Sequence, residues 1–341
     1  MSNPMRFFDR EYEPLWLASR QATAAFVGCD AQDLVLVENA TYAMNVIADS
    51  LDLPAGSVVT LTDHEYGAVR RIFERRARER DWKLATIQIP LPLESEEQFA
   101  DSLFAQLPDH CRAVVLSHVT SATAIRFPLE TVREELKRRN VLLIVDGPHA
   151  PAQIPLDLSA LRPDYYAASC HKWLSAPLGT GFLYIDREHQ ATVRPPLLSW
   201  GRLLPGVPER WDEEFLWSGT RNLVPDLCLP LAIDLMTSLG LDAFRERTRS
   251  LAGAVREILA RRWGVPPISP WTPDWQLSMS LAPLPPGRAY PQLKRTLAER
   301  YGVEAPVVEF AGRWYLRVSC HWYTTAADLR KLLAALDALG L

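Results

Sequence analysis

Cysteine is sparse and unpatterned. Cys29, Cys111, Cys170, Cys228 and Cys320 lie far apart, with no CxxC pair among them. An odd, scattered set argues against a disulfide framework or a zinc site, so no metal is expected, and it fits a reducing cytosol, so the expected compartment is cytoplasmic. Long apolar runs are missing as well. The longest, such as 141–145, are far too short to cross a bilayer. The N-terminal MSNPMRFFDREYEPLW has charges where a signal peptide needs an apolar core. Neither sign of charge dominates: 37 Lys and Arg stand against 41 Asp and Glu, net −4, which provides no footing for nucleic acid or an anionic membrane. There is no internal repeat and no low-complexity tract. Asn39-Ala40-Thr41 is a glycosylation sequon, idle without secretion. What remains is a 341-residue chain, 48% hydrophobic and 23% charged, with length for a large core and a second domain.

Hydrophobic periodicity organises the first half. A helix is expected over about 9–27, stopping at Gly28. Strands are expected near 34–37, 58–61, 84–89, 113–117 and 141–145, with helices near 44–51, 68–80, 96–107 and 129–139 between them. The arginine run in 68–80 reads as a solvated face. Strands alternating with helices give an α/β fold with a largely parallel sheet covered on both faces, and such sheets bind ligands beyond the carboxyl ends of their strands. Tyr66, Ser121, Asp146, His149, Ser169, His171 and Lys172 all fall at or just past strand ends. Ala40 and Thr41 open a helix, where free amides and the positive dipole end attract anions; taken alone, Asn39 or Thr41 reads first as a cap.

The stretch 165–184, YYAASCHKWLSAPLGTGFLY, carries Lys172 at its centre, between an apolar strand and a second strand introduced by Pro177, Gly179 and Gly181. A desolvated lysine has a depressed pKa, which makes its amine nucleophilic enough to form a Schiff base. Beyond it, 194–211 is rich in proline and glycine and reads as a surface excursion carrying Trp200 and Trp211. A polar loop follows at 217–222, then helices over about 223–239 and 241–262. Strands near 277–281, 307–310 and 314–319, with helices near 291–301 and 325–339, suggest a smaller α+β domain. The expected division is 1–223 and 224–341.

A cofactor with an aldehyde and a phosphate would use these residues. Lys172 would supply the amine, Asp146 a carboxylate for a pyridine nitrogen, Ala40 and Thr41 a phosphate seat, Tyr66 a stacking ring, and Arg317, inside an apolar strand, a guanidinium for a substrate carboxylate. The ordered set Asp146-x-x-His149, Ser169-x-His171-Lys172 and Gly179-x-Gly181 resembles the class V aminotransferase family of pyridoxal-phosphate (PLP) enzymes, fold type I. ENATYAMN, TDHEYGAV, SHVTSATA and WSGTRN look most like its isopenicillin N epimerase-like branch. The resemblance runs from about Ala18 to the C-terminus. It implies a mainly parallel seven-stranded large domain with a smaller C-terminal one, and a homodimer with shared sites. It also implies roles: Lys172 as Schiff-base lysine, Asp146 at the pyridine nitrogen, and His149 by the ring hydroxyl. Thr41, Ser169 and His171 would sit at the phosphate, Tyr66 on the ring with His64 as fallback, and Ser121 near the ring oxygen. Thr220 would lie at the neighbouring subunit's phosphate and Arg317 at the substrate α-carboxylate.

Two departures from the family shape the expectation. Its members begin with a further N-terminal segment that helps wall the site, whereas this chain opens at the first helix, so either a more open site or an unusual start is expected. Desulfurases carry a nucleophilic cysteine before the substrate arginine; 302–312 has none, which disfavours persulfide chemistry. The expected activity is at the α-carbon of an amino acid. Epimerisation, transamination and C–S lysis remain open, as does an inactive homologue serving as a binding or scaffold subunit. Epimerisation needs a second acid, for which His64, Tyr66 and His118 are candidates.

Overall fold

The computed structural model describes residues 3–201, 208–287 and 289–341. Part of the 194–211 excursion, residues 202–207, therefore lies outside the described residues. The chain opens with a short turn of helix, α1 (Pro4–Arg6), and a π-helical segment at Phe7–Glu11. These lead into α2 (Tyr12–Val27), capped by Gly28 in the left-handed region at φ 68°. Then follow β1 (Leu34–Val37), α3 (Ala40–Ser50), β2 (Val58–Thr62), α4 (Gly67–Arg80), β3 (Lys83–Ile87), α5 (Glu96–Gln106), β4 (Cys111–Ser117), α6 (Leu129–Arg138), β5 (Leu142–Asp146), α7 (Leu158–Leu161), β6 (Tyr165–Ser169) and β7 (Gly181–Ile185). The seven strands form one sheet in the order β1-β7-β6-β5-β4-β2-β3. Only β7 runs against its neighbours β1 and β6; the other pairings are parallel. The central strands β5 and β6 are almost wholly buried because helices cover both faces, which is why they read as continuous apolar runs. The carboxyl ends of β1, β2, β4, β5 and β6 consequently open on one edge.

The expected helix over 223–239 is two pieces, α8 (Val224–Leu227) and α9 (Leu229–Ser238), each with a proline in its first turn. Proline lacks the amide that a continuous helix needs, so Pro230 starts a new helix instead of extending the old one. Then come α10 (Leu241–Trp263), β8 (Met279–Pro283), α11 (Leu293–Tyr301), β9 (Val307–Phe310), β10 (Arg313–Ser319) and α12 (Ala326–Ala338). The last three strands make a separate antiparallel sheet, β8-β10-β9. Leu229, Ala232, Met236 and Phe244 are buried with the large sheet's core, whereas a second core draws on residues from Ala252 to Leu336. Among the described residues, no single helix is long and apolar enough to cross a membrane.

Two glycines fix the edge that matters. A Cβ on Gly147 would come within 2.3 Å of the Tyr166 ring, and one on Gly181 within 2.4 Å of the Ala168 carbonyl and 3.0 Å of Asn39 Cα. Only a hydrogen fits at either place, so the turn after β5, the lysine strand β6 and the mouth of α3 can close on one another.

Candidate active site

A cavity of about 370 Å3 opens where those strands end. Nine of the sequence-derived residues line it: Ala40, Thr41, Tyr66, Ser121, Asp146, His149, Ser169, His171 and Lys172. They come from five separate strand–helix or strand–loop junctions, which sheet topology alone brings together.

At the α3 end, Asn39 is the cap: its side chain accepts from the Tyr42 amide at 2.9 Å. The Ala40 amide donates to Ser169 Oγ at 3.0 Å, which ties β6 to the helix mouth and leaves the Ser169 proton free to point elsewhere. Thr41, second in the helix, has an amide with no intrahelical acceptor, and its side chain is exposed to the cavity. His171 Nδ1 lies 3.2 Å from the Thr180 carbonyl.

At the opposite end, Asp146 closes β5. Its carboxyl is buried and has no hydrogen-bond partner among the described residues; burial raises it to about 7, against the opposing charge of Lys172. Lys172 lies in the turn after β6. Surrounding protein lowers its pKa, Asp146 opposes that, and Arg317 adds to it. Its side chain is nevertheless exposed to the open cavity. The sequence suggested a buried amine; the amine here is walled by protein yet reachable, as an amine that must meet a ligand has to be. Lys172 Nζ lies 3.2 Å from His149 Nε2, and His149 Nδ1 accepts from the Trp173 indole at 3.0 Å. Burial first, then the charges of Lys172 and Arg317, hold His149 well below its ordinary value.

Arg317 does not line the cavity itself. It reaches across from β10 and donates through Nη1 to the Ser121 carbonyl and, at 3.4 Å, to Ser121 Oγ. Among the described residues its Nε is buried without a partner, and burial lowers its pKa with no carboxylate to offset it. Thr220 is exposed and does not line this chain's cavity. Two expectations are corrected. His64 is buried, with Nδ1 2.7 Å from Thr123 Oγ1, Nε2 3.1 Å from the Ile89 carbonyl and its ring 4.5 Å from that of Phe310, so it is no fallback for stacking. His118 is buried with Nδ1 2.9 Å from the Tyr166 hydroxyl, and burial drops it to about 3. Neither lines the cavity, which leaves Tyr66, half exposed on its rim, as the remaining second-face candidate.

Sequence reasoning missed two groups. Glu65 is buried behind the cavity, accepting from Thr62 Oγ1 at 2.7 Å and from Ser117 Oγ. Burial raises it to about 7, those two hydrogen bonds oppose the rise, and Asp146 adds to it. Trp173 was passed over although it directly follows the lysine.

These residues fit PLP. An unpartnered buried carboxyl awaits a cationic N–H, a helix mouth with spare donors suits a phosphate, and a reachable amine stands between them. Among the described residues no cysteine lines the cavity; Cys170 and Cys320 are buried, and burial pushes both thiols up to about 12.

The chain matches the family model for class V aminotransferases over residues 10–278. It is 36% identical to an isopenicillin N epimerase of Amycolatopsis lactamdurans over 99% of this chain and 88% of that protein. It is 37% identical to the isopenicillin N epimerase of Streptomyces clavuligerus, with the same coverage of each chain. Its fold superposes on a C-DES mutant with glycine covalently linked to its PLP cofactor at a TM-score of 0.80 and 22% identity, over 96% of this chain and 86% of that one. The chain belongs to the class V aminotransferase family and is a pyridoxal-phosphate-dependent enzyme.

Proposed function

We propose that the protein epimerises an amino acid or amino-acid-derived substrate at its α-carbon, with Lys172 working on one face and Tyr66 on the other. The observation that carries this reading is the pairing in one cavity of a reachable amine, Lys172, with a phenol on the rim, Tyr66, while both histidine alternatives are buried and outside the cavity lining. The likeness to two epimerases over nearly the whole chain supports it.

When bound, PLP supplies an electron sink for the pair left behind when the α-proton departs. Asp146 keeps the pyridine nitrogen protonated. Thr41, Ser169, His171 and the Ala40 helix mouth hold the phosphate, with Thr220 reaching the phosphate of a second copy. Arg317 takes the substrate α-carboxylate, and Ser121 holds Arg317 in place. Lys172, poised with a lowered pKa, accepts the α-proton. Tyr66 delivers a proton to the opposite face. The protein acts as a homodimer in the cytoplasm, and the apolar side chains exposed at Leu178, Leu198, Trp200 and Leu231 support a second copy as the surface they meet. Residues 224–341, whose first helices pack on the large sheet, include the smaller sheet that carries the substrate arginine.

C–S lysis is the second reading. It is supported by 23% identity to a probable L-cysteine desulfhydrase of Arabidopsis thaliana over 99% of this chain, and would proceed by β-elimination without a protein cysteine. Incubation with amino acids in deuterated water separates the readings. Solvent deuterium at the α-carbon with inversion is expected. Keto acid formed without sulfide or inversion would point to transamination, and sulfide released together with keto acid and ammonia to lysis.

A further inference from the structure

We propose that Trp173 is a positioning residue that fixes the tautomer of His149, so that the hydrogen on His149 Nε2 points at the Lys172 amine and favours its unprotonated form. An indole N–H can only donate. Trp173 Nε1 donates to His149 Nδ1 at 3.0 Å, so Nδ1 presents its lone pair and the neutral ring carries its hydrogen on Nε2. That nitrogen is 3.2 Å from Lys172 Nζ. With a hydrogen on Nε2, the amine has to accept, and an ammonium has no lone pair with which to do so.

The ring is kept neutral by its burial and by the charges of Lys172 and Arg317. The indole is held in turn. It stacks on His321 at 5.4 Å and 9°, and His321 stacks on Tyr323 at 4.8 Å and 15°. His321 follows β10, the strand carrying Arg317, so the smaller sheet buttresses the residue that orients His149. The other charged or titratable groups around Lys172 are Asp146 from β5, whose carboxylate favours the ammonium, Arg317 from β10, which disfavours it, His171 beside it in the same turn, and His321 after β10, which meets the backbone of Lys172 and Trp173. Without the indole N–H, His149 is free to move its hydrogen to Nδ1 and offer Nε2 as an acceptor, which stabilises the ammonium instead.

The relevance of this device to catalysis rests on Lys172 being the lysine that serves the cofactor. The hydrogen bonds themselves belong to the chain, so the test is made on the full-length, cofactor-free protein. Histidine 15N NMR, with His149 assigned by loss of its signals in His149→Gln, reports which nitrogen is protonated. The pH dependence of Lys172 modification by an amine-selective reagent, read by peptide mass spectrometry, reports the amine. In the wild type, hydrogen on Nε2 is expected. Trp173→Phe keeps an aromatic ring against His321 but removes the donor; the Nε2 tautomer should give way to a mixture, and the midpoint of Lys172 modification should rise by about one pH unit. The acid limb of kcat in the holoenzyme should move the same way. A wild-type His149 protonated on Nδ1 overturns the inference even if the variant does not fold. So does a folded Trp173→Phe with unchanged tautomer and midpoint. If the cofactor proves to be attached elsewhere, the assignment of Lys172 is lost while these two measurements stand.

Discussion

Arg317 donates to the carbonyl of Ser121, 196 residues earlier in the chain, and so carries a positive charge from the small sheet to the rim of the cavity in the large one. Among the described residues no carboxylate neutralises it, and its Nε is left buried without a partner. A guanidinium so placed suits a substrate carboxylate, which it can grip with two parallel hydrogen bonds. Arg317→Ala should weaken amino-acid binding by roughly 10–100-fold, the value of losing a charged hydrogen bond, while PLP binds as before. Titration of amino acids against the cofactor's visible spectrum checks this; loss of the spectrum itself would show that the arginine has been misplaced.

Asp146 suits a protonated ring nitrogen at the expense of the empty protein. Its carboxyl sits at about 7 when folded, against an ordinary value of 3.8. Between about pH 4 and 7, the folded, cofactor-free chain keeps a proton that the unfolded chain has released, so stability falls as pH rises through that window. Asp146→Asn removes this group's share. The cofactor-free variant should be more stable than wild type at pH 8, by on the order of 4 kcal/mol at most, with the gap shrinking towards pH 5. It should bind PLP more weakly. Melting curves at the two pH values test this; a gap that does not change with pH contradicts it.

His171 couples phosphate binding to a proton. Its Nδ1 faces the Thr180 carbonyl and must donate there, so a neutral ring has a bare Nε2 and can donate to phosphate only as the imidazolium. Burial, and then Lys172, lower its pKa in the cofactor-free chain. Binding therefore takes up a proton, and affinity for PLP should fall more steeply from pH 6 to 9 in wild type than in His171→Ala. Equilibrium dialysis across that range decides it: parallel curves would mean that His171 does not donate to the phosphate.

Tyr66 is expected to serve one face only. Tyr66→Phe should slow epimerisation by about 100-fold or more, the ordinary contribution of a positioned acid, while exchange of the α-hydrogen with solvent from one enantiomer continues. Chiral analysis and deuterium incorporation in the same reaction measure both. Equal loss of the two activities would contradict the two-face arrangement.

Much of this was legible in the chain because catalytic groups in a parallel sheet fall at strand ends, which periodicity marks. The positions after β2, β4, β5 and β6 could be named without knowing how the strands were ordered. What could not be read were partnerships made only by folding. His64, Tyr66 and His118 look alike as candidates until His64 is found held by Thr123 and Ile89 and His118 by Tyr166. Glu65 gave no signal because its neighbours, Thr62 and Ser117, lie on two different strands. The reversed direction of β7 leaves no mark in an all-buried strand. Pro230 did carry a signal, and hydrophobic periodicity across 223–239 masked it.

The central claim is that Lys172 is the lysine that holds the cofactor. The chain has five lysines, and Lys83, Lys137, Lys294 and Lys331 are exposed and away from the cavity. Borohydride reduction of the PLP-loaded protein, followed by peptide mass spectrometry, tests the claim directly. The account predicts a pyridoxyl label on the peptide containing Lys172, and no visible band in Lys172→Ala. A label on any of the other four lysines, or a band that survives Lys172→Ala, would contradict it.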